Sequence, residues 1–188
     1  MNAAANFAWA NRQIIKELIE RAIMNALNIS PKSLGLAQIY DVSHNIAKIE
    51  NDFIIHRKGA INAKPPFSKD IPSVYKRTGQ PVIIPGDMCT GSYLLFPTEK
   101  VATETFSSAC HGAGRALSRR KALKKFNANE IVLGMEKSGI TVLAKSKRTI
   151  AEEVPEAYKN IDDVIMVMEN CGLLKKAVRL KPVAVIKG

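Results

Sequence analysis

Proline sets the first limit on how this chain can fold. Five of its nine prolines, Pro65, Pro66, Pro72, Pro81 and Pro85, fall within residues 63–85. Proline fixes φ and carries no amide hydrogen, so neither a long helix nor a central strand can run through that stretch. It reads as loop, with short strands only at its far end, at 82–84 and then 92–96. The chain before it has the opposite character. Phe7, Ile14, Ile15, Leu18, Ile19, Ala22, Ile23 and Ala26 recur at helical spacing and predict one long helix over 3–27. Its first turns hold Ala3, Ala4, Ala5, Ala8 and Ala10 around Trp9, with Asn6 and Asn11 among them. Small side chains let another backbone approach, so this end is expected to be covered.

After Ser30-Pro31 and Gly35, residues 39–44 alternate like a strand. Residues 48–50 and 53–56 flank Asn51-Asp52, two residues that tolerate positive φ, which predicts a hairpin. Beyond the prolines the pattern predicts a short helix at 99–104, a basic helix at 118–126, another at 129–137 and a strand at 140–144. An amphipathic helix follows over 162–171, with Asp162 or Asp163 near its N-cap and Gly172 ending it. A terminal strand is expected over 177–186. There is no regular βαβ alternation, so the fold class is α+β. A length of 188 residues suits a single domain over 1–188.

Charge narrows the partners. With 28 basic and 17 acidic side chains the net charge is +11, which favours a polyanion, nucleic acid first and anionic membrane second. A basic soluble protein with no such partner carries the same charge. No run of apolar residues is long enough to span a membrane. The N-terminus lacks a charged stretch followed by an apolar one, so no secretory signal is read there and a cytoplasmic location is expected. Cys89, Cys110 and Cys171 are widely spaced with no CxxC pair, and read as buried free thiols rather than a zinc or redox motif.

The chemistry concentrates in Cys110-His111-Gly112-Ala113-Gly114-Arg115. Glycines let the backbone approach a phosphate and turn amide groups onto it. A helix starting near Arg115 would add its positive end, and the guanidinium could fork onto phosphate oxygens. Neutral imidazole is a good nucleophile near neutral pH, so His111 could attack phosphorus. Read alone, the run is also an ordinary glycine turn with a histidine in it. A second loop, from Ile83 through Pro85, Gly86, Asp87, Met88, Cys89, Thr90 and Gly91 to Ser92, could hold a nucleotide by its backbone and by Asp87 or Ser92, or be a plain β-turn. His44 could ligate a metal, with Asn45 orienting a phosphate, though one histidine makes no site. His56-Arg57-Lys58-Gly59 could bind a phosphate or be a solvated turn. Residues 112–148 hold ten Lys or Arg against Glu130 and Glu136. Such a run is usually a solvated face, but its place after the candidate phosphate loop strengthens a nucleic-acid reading.

Taken together these segments resemble the RtcB family of GTP-dependent RNA ligases. The resemblance is carried in the family's order by residues 3–12, 40–45, 56–60, 79–88 and 110–115 and by the terminal Lys187-Gly188. It implies that His111 attacks the α-phosphorus of GTP, that the guanylate passes to an RNA 3′-phosphate, and that an RNA 5′-hydroxyl then expels GMP. Ends bearing a 2′,3′-cyclic phosphate are accepted after opening. GTP and manganese are the implied cofactors, and tRNA halves or broken RNA the implied substrates. By position, His44 matches a manganese ligand that also lies by the nucleotide, and Asn45 a nucleotide contact. Pro85, Gly86, Asp87, Met88 and Ser92 match the guanylate loop, and Gly112, Ala113 and Gly114 the turn around the nucleophile. Tyr158 matches a tyrosine near the guanine, where its ring could stack, and Lys187 a lysine that reaches the base. Lys58 and Arg115 match positions suited to RNA phosphate.

Two departures stand out. Cys89 and Gly91 replace a glycine and an alanine common in the family's loop. The family's chains are also much longer, and this one begins near their middle. The other half would carry an aspartate, a cysteine and two further histidines for manganese and a glutamate for the nucleotide. That N-terminal half is thus an implied partner, and an archease-type activator another. A non-catalytic RNA- or nucleotide-binding module is the competing reading, since most metal ligands lie outside this chain.

Overall fold

The computed structural model describes residues 2–187. Helices are α1 (Asn2–Leu27), α2 (Pro31–Leu34), α3 (Lys100–Glu104), α4 (Arg119–Lys125), α5 (Ala128–Lys137), α6 (Lys147–Glu152) and α7 (Ile161–Asn170). Strands are β1 (Asn45–Glu50), β2 (Phe53–Lys58), β3 (Ala60–Asn62), β4 (Val82–Pro85), β5 (Ser92–Pro97), β6 (Ser108–Cys110), β7 (Thr141–Ala144), β8 (Leu174–Leu180) and β9 (Ala184–Lys187). The class is α+β, as expected.

The strands form small separate sheets: the β1–β2 hairpin, a β3–β6 pair, the three-stranded β4–β5–β8, and a β7–β9 pair. Among the described residues only the β7–β9 pair is parallel. The hairpin turns at Asn51 and Asp52, both at positive φ (48° and 66°), as their side chains allow. It is longer than expected, with Asn45 opposite Lys58. Between β3 and β4 the prolines keep the chain in loop and a single 3-10 turn, Ser73–Tyr75.

Three expectations need correcting here. Residues 39–44 are not a strand. Tyr40 packs edge-on against Tyr75, the Tyr75 hydroxyl donates to the Ile39 carbonyl at 2.7 Å, and Asp41 pairs with Arg12 at 2.6 Å, so side chains hold this stretch where a ladder does not. The terminal strand divides into β8 and β9, with Pro182 in the break. Helix α7 is capped by Asn160, whose side chain accepts the Asp162 amide, and Asp162 and Asp163 stand in its first turn near that cap, as expected. The expectation of buried thiols fails at Cys171, which is exposed, while Cys89 and Cys110 are half-buried.

The main core gathers Ile61, Val82, Ile84, Leu95, Val101, Ile161, Ile165 and Leu174 beneath β3–β6 and β4–β5–β8. Ala113 belongs to it as well, so the turn after His111 is anchored in the core. A second cluster joins Met88 to Met135, Ile140 and Ile150. A third places Ala122, Val154 and Ala157 under Tyr158. Helix α1 stands apart. It buries none of its residues, and Phe7, Ile14, Leu18 and Ile19 are exposed. Among the described residues, no helix is long and apolar enough to cross a membrane.

Candidate active site

His111 directly follows β6. The β3–β6 register sets Ala60 opposite Cys110, which brings Gly59 and His111 side by side. The His111 amide donates to the Gly59 carbonyl at 3.4 Å, and the Gly59 amide donates to the His44 carbonyl at 3.3 Å. Gly59 is therefore a backbone clasp between two histidines. Its φ of +72° suits glycine, and its missing side chain would stand 3.9 Å from the Nδ1–Cε1 edge of the His111 ring. The imidazoles of His44 and His111 stack, with centroids 5.2 Å apart and planes 13° from parallel.

His56 joins this group. Its Nε2 lies 3.3 Å from Oδ1 of Asn45, the residue after His44. All three histidines of the chain thus meet around residues 44–45. Lys58, exposed at the end of β2, faces Asn45 across the hairpin. In the sequence His56 reads as a possible phosphate contact and Gly59 only as part of a motif. The one signal for Gly59 is its position directly after the basic hairpin end.

The Pro85 loop forms the neighbouring wall. Ala113 donates its amide to the Pro85 carbonyl at 2.9 Å. A side chain at Gly112 would stand 3.3 Å from that same oxygen. Pro85 and Ser92 are register partners at the mouth of β4–β5. Within the loop Gly86 donates to the Gly91 carbonyl at 2.9 Å. Asp87 Oδ1 accepts the amides of Cys89 and Thr90 at 2.7 and 2.9 Å, and Oδ2 accepts the Thr90 hydroxyl at 2.7 Å. The Asp87 carboxylate thus builds the loop. The Met88 side chain is buried in the second core cluster, so at these two positions the backbone is what the loop can offer a ligand. Gly91 is required by sterics in this loop. Its φ is +109°, and a Cβ there would lie 2.3 Å from the Leu180 carbonyl, so alanine cannot fit this backbone.

Arg115 does not begin a helix; the next one starts at Arg119, behind the cap of Ser118. Its guanidinium is engaged within the protein. Nε donates to the Leu117 carbonyl at 2.9 Å, Nη2 to the Glu152 carbonyl at 2.5 Å, and Nη1 to Glu153 Oε1 at 3.2 Å and the Tyr158 hydroxyl at 3.1 Å. It also lies over the Tyr158 ring, 4.9 Å from the centroid. The backbones match: Arg115 and Tyr158 form an antiparallel bridge, Lys159 donates to Gly114 at 2.9 Å, and Ala116 donates to Ala157 at 2.8 Å. The turn that follows His111 is thereby stitched to the segment bearing Tyr158.

The Tyr158 hydroxyl donates to Glu153 Oε2. Burial and that carboxylate push the Tyr158 phenol above its ordinary value. Burial acts to raise Glu153, yet the Tyr158 hydrogen bond and the charges of Lys187, Arg115 and Arg119 hold it below the usual carboxylate range. Lys187, placed opposite Ala144 in the β7–β9 register, is thus within electrostatic reach of Glu153. Nothing in the sequence pattern marks Glu153. Burial raises both nearby thiols, Cys89 and Cys110, so neither is a ready nucleophile at neutral pH.

Among the described residues no three His, Cys, Asp or Glu side chains gather to hold a metal ion. His44 can supply one donor, and a divalent site needs several. Arg120, Lys121, Lys124 and Lys125 are exposed on α4, while Arg119 and Arg148 are drawn to Glu152 and Glu153.

The family model described as tRNA-splicing ligase RtcB matches residues 1–188. A tRNA-splicing ligase RtcB of Methanococcus maripaludis is 48% identical over the whole chain, which covers 41% of that protein. One of Nanoarchaeum equitans is 46% identical, again with 41% of its length covered. One of Pyrococcus abyssi is 45% identical, with 21% covered. The chain thus spans between a fifth and about two-fifths of the length of these relatives.

Proposed function

The chain belongs to the RtcB family, and from that premise we propose that it is the nucleotide-accepting portion of a GTP- and manganese-dependent RNA ligase working in the cytoplasm. The observation that carries this reading is the setting of His111. It lies against the backbone of Gly59, stacks on His44, and leads into a glycine turn seated on the Pro85 carbonyl.

In this reading an imidazole nitrogen of His111 attacks the α-phosphorus of GTP. A nitrogen–phosphorus bond forms, the bond to the bridging α–β oxygen breaks, and pyrophosphate leaves. An RNA 3′-phosphate oxygen then takes the guanylate from His111, and an RNA 5′-hydroxyl displaces GMP. The work of the chain is positioning and charge neutralisation, as phosphoryl transfer requires. Asn45, the Pro85–Ser92 loop and the Gly112–Gly114 turn bind the nucleotide; Tyr158 and Lys187 face its base; Lys58 takes an RNA phosphate. Arg115, engaged by its own protein, holds the turn and Tyr158 in place. Manganese, when bound, would neutralise phosphoryl oxygens, with His44 as this chain's ligand. The remaining ligands would come from the N-terminal part that the longer relatives have, and an archease-type protein is a further expected partner.

Combined with the upstream portion of a relative, the chain should take label from α-labelled GTP. The bond should be a phosphoramidate, lost in acid and stable in alkali, and absent from His111→Ala. Label that survives acid, or that persists in His111→Ala, would overturn the assignment.

A further inference from the structure

Resting on the RNA-ligase reading above, we propose that the cleft between α1 and the β1–β2 hairpin is a pocket for one unpaired RNA base beside the break being joined. The cleft encloses about 360 Å³, a size typical of sites for small ligands. Trp9 of α1, Ser43, Lys48 of β1 and Asn62 of β3 all line it.

The fold sets this cleft next to the reacting centre. Trp9 and Arg12 stand one turn apart in α1 and so share a face. Arg12 grips Asp41 at 2.6 Å, which holds Trp9 beside residues 41–43, themselves part of the lining. The next residue is His44, whose ring stacks on His111. Phe7, Ile14 and Leu18 are exposed and, at the helical period, fall on the face of α1 away from Trp9. A protein cover on that face leaves the cleft open.

The charges in the lining balance: Asp41, Glu50 and Asp70 against Lys48, Arg57 and Lys64. Most are already paired, Glu50 with Arg57, Asp70 with Lys64 and Asp41 with Arg12. A cleft so balanced suits a neutral, flat group better than a bare phosphate. Two features call for a base. Trp9 is 45% exposed, and stacking on an aromatic ring accepts any base, because each has a π face. Asn62 Oδ1 is shut off from solvent and has no hydrogen-bond partner, although the Asn62 carbonyl takes Gln80 Nε2 at 2.6 Å. A buried acceptor left unpaired is costly, so the cleft favours a ligand that brings a donor. Every RNA base carries an N–H on its Watson–Crick edge, the edge that proteins read in unpaired strands. Lys48 is exposed and adds a cation for the phosphate of the same nucleotide. Such a pocket holds a base without choosing which.

Trp9 is the sole tryptophan of the chain, which makes the test direct. The purified chain, alone and complemented with the upstream portion of a relative, is titrated with short single-stranded RNAs. One ends in a 3′-phosphate and one begins with a 5′-hydroxyl, each intact or abasic at that terminal nucleotide. An intact RNA should quench Trp9 fluorescence in both preparations, read as the difference from Trp9→Phe, and the RNA that quenches names the end whose base is held. Its abasic form should not quench and should bind about tenfold more weakly, the loss expected of one stacked base. Trp9→Ala should bind intact RNA as weakly as the native chain binds the abasic form. Asn62→Leu should weaken the intact RNA alone, and Trp9→Phe, which keeps a stacking ring, should retain most of the affinity. Equal quenching by intact and abasic RNA, or an unchanged affinity in Trp9→Ala, would overturn the proposal. Loss of the quench on complementation would also overturn it, and would give the cleft to a protein segment. His111→Ala should leave the quench unaltered, which separates the two readings. Label that persists in His111→Ala sinks the ligase chemistry, whereas a missing quench beside normal labelling sinks the pocket alone.

Discussion

Arg57 shows how one side chain can place a site it does not touch. It is 2% exposed. Its guanidinium donates to both Glu50 oxygens at 2.8 and 2.7 Å, to the Ser108 hydroxyl at 2.9 Å and to the Phe106 carbonyl at 2.7 Å. The first two bonds stay within the β1–β2 hairpin; the others tie that hairpin to the strand that ends at Cys110. The hairpin carries Asn45 and Lys58, and the strand delivers His111. Removing one partner of such a pair leaves an uncompensated buried charge. Glu50→Ala should therefore cost about 3 kcal/mol, read from urea unfolding. The Arg57 hydrogen bond, working against burial and aided by nearby cations, holds Glu50 below its ordinary value. A carboxylate depressed in the folded state adds stability above its unfolded pKa and loses it as pH falls through the folded one. Glu50→Gln should flatten that acid limb. An unchanged limb would place the acid sensitivity at another carboxylate.

At the scale of elements, α4 is where the basic charge would become an RNA surface. Helix α4 carries Arg120, Lys121, Lys124 and Lys125 close behind Arg115 in the chain. Reversing charge at Lys121, Lys124 and Lys125 should weaken RNA binding and flatten its dependence on salt, by about 0.7 in log–log slope for each single-strand phosphate no longer neutralised. An unchanged titration would make the helix a solvated face. Much at this scale is legible in the sequence. Helix α1 follows from apolar spacing, the hairpin from Asn51-Asp52, and the loop from prolines, because each is a local preference of the backbone. Residues 39–44 mislead, because alternation records which side chains are apolar and not whether a neighbouring strand exists to pair with. Helix α6 goes unread: its turns bury Ile150 and Ala151 but otherwise carry charge and Thr149, which leaves little period to find. Glu153 escapes for the opposite reason. Its role comes from Arg115, Tyr158 and Lys187, which meet it only after folding. The glycine turn at His111 can be read because its chemistry is written in adjacent residues.

At the scale of the whole molecule, the described residues hold the proposed nucleophile but no three side chains gathered for a metal ion. His44 is one imidazole, and relatives are much longer. The isolated chain should not join 5′-hydroxyl and 3′-phosphate RNA with GTP and manganese; robust ligation by the purified chain would refute this. On the proposed reading, the upstream portion would also cover α1, whose apolar side chains are exposed. The parallel pairing of β7 with β9 has a different consequence, for the order in which the molecule can be made. Thr141 meets Ala184 and Ala144 meets Lys187, so α6, Glu153, Tyr158, α7 and β8 all lie inside the loop that this pairing closes. Chains emerge from synthesis N-terminus first, and distant pairings form only after their loop entropy is met. A nascent chain therefore has both of its stacked imidazoles before the corner formed by Glu153, Tyr158 and Lys187 can close. That corner is complete only when β9 docks.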